Sequence, residues 1–99
     1  MYELLFDEEA IEFLNKLPKD LKERIFNKLI TAKENPFHFF ERLTGREDYK
    51  LRVGDYRIIA DIDQGNETIK VTIIGHRKNI YKNLDWEDYP KLQFISHKI

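Results

Sequence analysis

Cysteine is missing altogether, which excludes disulfide staples and thiolate zinc sites. The three histidines, His38, His76 and His97, stand at spacings unsuited to metal ligation, so no structural metal is expected. No run approaches the roughly 18 to 20 apolar residues of a membrane span. The opening MYELLFDEEA carries acids where a secretory leader needs basic residues. These absences predict a cytosolic protein with no membrane contact. Dominance of one charge sign is lacking too: 17 Lys/Arg against 18 Asp/Glu leave a formal net charge of -1. Any polyanion site must therefore be local and geometric, because no strong global field is available to attract such a partner. With no repeat, linker or low-complexity segment, 99 residues of which 41% are hydrophobic fit one domain, 1–99, with a single modest core.

What is present has a clear order. MYELLF reads as a strand, closed by Asp7, a suitable helix N-cap ahead of Glu8 and Glu9. Ala10, Ile11, Leu14 and Leu17 recur at helical spacing, and Pro18 interrupts that pattern while suiting the first turn of a second helix. There Leu21, Ile25, Leu29 and Ala32 form an apolar stripe, widened by Phe26 and Ile30, while Lys19, Lys22, Glu23, Lys28 and Lys33 face outward. Asn35-Pro36 ends the second helix. FHFFERLTGRED reads as a connecting loop with Phe37, Phe39 and Phe40 tucked under the helices. Three strands follow at 48 to 53, 55 to 63 and 67 to 75, an antiparallel meander turning at Gly54-Asp55 and at DQGNE. The pattern β-α-α-β-β-β predicts an α+β domain: an antiparallel sheet with the two helices on one face and the opposite face open. The tail, 84 to 99, carries Leu84, Trp86, Tyr89, Leu92, Phe94 and Ile95, enough apolar bulk to require packing on something.

The hairpin YKLRVGDYRIIADID concentrates cations. Alternation directs Tyr49, Leu51 and Val53 into the core, and Lys50 and Arg52 to the open face. On the next strand Tyr56, Ile58, Ala60 and Ile62 form the apolar set, which leaves Arg57, Asp61 and Asp63 near Lys50 and Arg52. Like charges so close together call for neighbouring acids or a bound anion such as phosphate. Both options are open at this point, since Glu47, Asp55 and Asp61 suffice to neutralise a solvated face. The third strand ends in IIGHRKNIYK, where Gly75 permits a bend or bulge and His76, Arg77, Lys78 and Tyr81 emerge together. An arginine fork for phosphate beside a tyrosine ring for a base suits single-stranded RNA. The plainer alternatives are Tyr81 as core filler and His76 as a structural or surface histidine.

The order of elements, the YKLRVGDYRII hairpin and the terminal GHRKNIYK resemble the RelE/ParE superfamily of type II toxin-antitoxin toxins, with the nearer likeness to the RelE branch. The resemblance covers about residues 1 to 82. It implies a small RelE-like toxin fold without metal or organic cofactor, and a ribosome-dependent endoribonuclease that cuts mRNA in the A site. It also implies a cognate RelB-like antitoxin bound in a hetero-oligomer. Its functional positions fall on Lys50, Arg52, Arg57, Arg77 and Tyr81, with Asp48 standing where some members carry a second lysine. The implied chemistry is attack of the RNA 2'-hydroxyl on the adjacent phosphate. Arg57 and Arg77 would stabilise the developing charge, Lys50 would accept the proton, and Tyr81 would stack on a base. Within the same fold the alternative is a ParE-like gyrase poison; a relative that binds antitoxin or RNA without turnover is another.

Overall fold

The computed structural model describes residues 2 to 83, with side chains described through Ile80. The apolar segment 84 to 99, with Trp86 and Phe94, lies outside the described residues. Strand β1 (Glu3–Phe6) leads into α1 (Glu8–Asn15) and α2 (Lys19–Ala32). A short helix α3 (Pro36–Phe39) and strand β2 (Glu41–Arg42) follow, then β3 (Tyr49–Val53), β4 (Tyr56–Asp63), β5 (Thr68–His76) and α4 (Arg77–Asn83). The five strands form one sheet in the order β1-β5-β4-β3-β2.

The α+β expectation holds, and so does the antiparallel meander of β3, β4 and β5. Strand β1 joins it parallel to β5, because the α1-α2 excursion returns the chain to the far side of the sheet. The segment expected as a loop contains α3 and β2. Pro36 stands at the start of α3, where its missing N–H breaks no helical bond, and Phe40 is buried in the core while Phe39 is half-buried. Phe37 is exposed and meets Tyr2 and Tyr49 edge-on. Asp7 occupies the N-cap position of α1 without a capping bond, its carboxylate instead lying 3.2 Å from Lys70 Nζ.

Two apolar clusters lie on opposite faces of the sheet. The larger gathers Ala10 and Leu14 of α1, Ile25, Leu29 and Ala32 of α2, and Leu51, Val53, Ile58, Ala60, Ile69, Val71 and Ile74 of the sheet. Each fully buried aliphatic side chain contributes about 1.5–3 kcal/mol. Phe26 and Ile30 do not widen the α2 stripe, being 43% and 37% exposed. At 100° per residue they fall beyond the arc that meets the sheet.

The second cluster is Leu43, Ile59 and Ile80, with Ile73 packed against it, and it overturns the expectation of an open face. A bulge supplies it. Ile59 pairs with Ile73 but Ala60 pairs with Val71, so Thr72 is an extra residue in β5, its hydroxyl donating to the Ile59 carbonyl at 3.2 Å. The extra residue switches the alternation: Ile69, Val71 and Ile74 serve the larger core while Ile73 joins the second cluster. Gly75 is not the bulge. A Cβ there would lie 3.4 Å from Ile80, so α4 packs closely over this position.

Candidate functional site

The cations of the hairpin converge by register. Arg52 and Arg57 are direct cross-strand partners, and Lys50, two residues before Arg52, pairs with Ile59 on the same face. Gly54, at φ +58, makes the tight turn that sets this register. Lys50 and Arg57 are not displayed to solvent as the alternation suggests; they are 5% and 4% exposed. The reason is cover, since α4 and Leu43 pack on the face where the sequence pattern shows nothing to pack.

Arg57 is held hard against the turn. Its Nη1 donates to the carbonyls of Gly54 at 2.9 Å and Tyr56 at 3.0 Å, while its buried Nε has no acceptor among the described residues. A guanidinium withdrawn from water with an unmatched N–H is costly in isolation, and an anionic oxygen is the group that relieves it best. Burial pulls the Lys50 ammonium below the usual lysine range, Glu41 pushes it back up, and the like charges of Arg52 and Arg57 pull it down again. Glu41 Oε1 lies 3.7 Å from Lys50 Nζ.

The start of α4 is tied to the same turn. The Arg77 N–H donates to the Asp55 carbonyl at 2.8 Å, and the Arg77 Nε stands 3.9 Å from Asp55 Oδ1. His76 Nδ1 accepts from the Lys78 N–H at 3.2 Å, and its ring meets Tyr56 edge-on at 5.2 Å. Arg77 itself is exposed, so a surface guanidinium and a buried one flank one hairpin end. On the neighbouring loop Arg46 grips Asp48 through two bonds of 2.9 Å, which raises the arginine's pKa and lowers the carboxyl's. Among the described residues no group of three or more His, Cys, Asp or Glu side chains could hold a metal, and no helix is long and apolar enough to cross a membrane.

Residues 4 to 81 match the family model for the ParE toxin of type II toxin-antitoxin systems, parDE. The chain belongs to this toxin family. Among solved structures it is similar to a chain of the Mycobacterium tuberculosis RelBE2 toxin-antitoxin complex, at 23% identity and TM-score 0.71 over 77% of this chain and 98% of that one. The intact Escherichia coli RelBE complex gives 26% identity and TM-score 0.68 over 77% and 96%. The isolated E. coli RelE toxin gives 26% and 0.68 over 84% and 94%. No protein among the curated ones matches the sequence. The protein is thus a type II toxin of the RelE/ParE superfamily with a RelE-like fold.

In this toxin Lys50, Arg52 and Arg57 come together as the alternation predicts, though two of the three are buried. Arg77 joins them at the hairpin end from a helix, where the sequence pattern suggests a strand end. Tyr81 lies in α4, one turn beyond Arg77, and its side chain is outside the described ones. Sequence reasoning missed Glu41. The available signal was its place two residues before the apolar Leu43, which puts both on one strand face.

Proposed function

We propose that this toxin is a ribosome-dependent endoribonuclease that cuts mRNA in the A site. The observation that carries the reading is the buried Arg57 guanidinium, directly opposite Arg52 and beside Lys50, with an Nε–H that no group among the described residues accepts. Three cations crowded on one face favour an anion bearing several oxygens, and an RNA phosphate is such an anion. The 2'-hydroxyl attacks the adjacent phosphorus, the bond to O5' breaks and O5' takes up a proton from water, so that a 2',3'-cyclic phosphate and a 5'-hydroxyl result. Arg57 and Arg77 stabilise the charge that builds on the phosphoryl oxygens, Arg52 orients the backbone, and Lys50 accepts the 2' proton. The depressed proton affinity of Lys50, caused first by burial, suits that task. Tyr81 stacks on a base. Primer extension on mRNA held in programmed ribosomes tests the reading: cleavage inside the A-site codon is expected, and an Arg57→Ala, Arg77→Ala double variant should lose it. Unchanged cleavage by that variant would refute these roles.

Its partner in this reading is a RelB-like antitoxin, as in the RelBE complexes it resembles, bound as a toxin-antitoxin hetero-oligomer. Exposed Phe26 and Ile30, one turn apart on α2, offer an apolar stripe for such a chain. Phe26 also lines a cleft of about 410 Å³ with Lys19, Lys22, Glu23 and Asn27. The family model's ParE name favours one other reading, poisoning of DNA gyrase. A supercoiling assay with purified gyrase, run beside the ribosome assay, separates the two.

A further inference from the structure

Strand β2 is only two residues long, yet it is held from both ends. Before it, Phe40 is buried in the larger core; after it, Leu43 is buried in the cluster on the other face. The Leu43 N–H also donates to the Asp48 carbonyl at 3.1 Å. These anchors fix the sheet face on which Glu41 lies, although its side chain is itself 78% exposed. It shares a face with Leu43, pairs with Lys50 in the ladder, and lies 3.7 Å from the Lys50 ammonium.

We propose that Glu41 is a positioning residue of this site, anchoring the Lys50 ammonium across the β2-β3 ladder. The inference rests on the reading of Lys50 as proton acceptor. Among the described residues the groups that bear on Lys50 include Glu41 from β2, Arg52 from its own strand and Arg57 from β4, while β5 and α4 bring the non-titrating Ile73 and Ile80 to that face. Glu41 is the one acid among these groups and opposes both the burial of the amine and the two arginines. It thereby keeps a larger fraction of Lys50 protonated and aligned with the arginines, and only the neutral fraction, its proton given up to solvent, accepts the 2' proton. Removing the carboxylate frees the proton more readily.

The test uses the whole toxin with Glu41→Gln and Glu41→Asp. The Lys50 side chain is followed by carbon NMR across pH, its signal assigned by its loss in Lys50→Met, and single-turnover cleavage on programmed ribosomes is measured across the same range. Glu41→Gln should titrate Lys50 at lower pH, and Glu41→Asp close to the unsubstituted protein. The rising limb of the cleavage profile should move the same way, giving Glu41→Gln a roughly two- to fivefold faster rate below that limb and an unchanged plateau. Identical Lys50 titration in all three proteins overturns the proposal, whatever cleavage does. A moved titration with an unmoved cleavage limb, or with no cleavage by the unsubstituted toxin, upholds the Glu41 anchor and refutes the role given to Lys50.

Discussion

The two faces of the sheet are built to different ends. Against α1 and α2 the sheet presents aliphatic side chains that pack with helix residues, and among the described residues nothing charged is buried there. On the other face a cluster of three buried residues, Leu43, Ile59 and Ile80, shares the cover with a buried lysine and a buried arginine. The first face stabilises the domain; the second holds charges that weaken it. Sites that gather like charges out of water sacrifice stability for function, and the larger core is what makes that affordable.

Substitutions sharpen the contrast. Leu29→Ala, in the larger core, should cost about 3–5 kcal/mol of unfolding free energy by chemical denaturation, at the upper end of cavity-forming changes. Arg57→Ala should lower A-site cleavage about 10²–10³-fold with a far smaller effect on stability. Arg57→Lys should not restore it, because one ammonium cannot reproduce a planar fork that binds Gly54 and Tyr56 and still reaches a phosphate. A rate that survived Arg57→Ala would erase the functional half of the comparison.

Lys50→Met should abolish cleavage and raise stability at neutral pH by about 1 kcal/mol, since it exchanges a buried cation beside two arginines for an apolar chain. The pH dependence has a definite sign. A lysine whose folded pKa lies below its unfolded one binds fewer protons when folded, so its penalty is fully present below the folded pKa. That penalty falls as pH rises through the lowered folded pKa toward the ordinary lysine value. The stability gap between Lys50→Met and the parent should narrow over that range in denaturation curves.

The smallest effect is expected at Asp48. Its folded pKa is depressed by Arg46, so its contribution is present above the ordinary carboxylate range and lost as pH falls through the folded value. Asp48→Asn should cost up to about 1 kcal/mol at neutral pH, and the difference from the parent should vanish in acid. The acid at this position is tied up locally by Arg46 and does not face Lys50 across the ladder.

Much of the fold was legible because its signals are local. The 3.6-residue period of Leu14, Ile25 and Leu29, the β-branched run of β4 and the Gly54-Asp55 turn each announce one element, and the structure places all three as expected. The hairpin cations were legible for the same reason, since alternation and a tight turn suffice to put Lys50, Arg52 and Arg57 on one face. Strand β2 was not, because two residues carry no period. Helix α4 was masked by its continuity with β5, the turn into it being marked by the Arg77 N–H bond to the Asp55 carbonyl and by Ile80 packing in the second cluster.

By itself, then, the sequence determined the order of the longer elements β1, α1, α2, β3, β4 and β5, the helical face of the core and which cations would be neighbours, all consequences of periodicities that short segments carry alone. The tertiary structure alone decided that Lys50 and Arg57 are out of water and that Glu41 stands against Lys50. It also decided that Thr72 transfers Ile73 to the second cluster. The reason is physical: burial and proton affinity depend on what packs on a strand from distant parts of the chain, and neither Leu43 nor Ile80 declares its destination in its own neighbourhood.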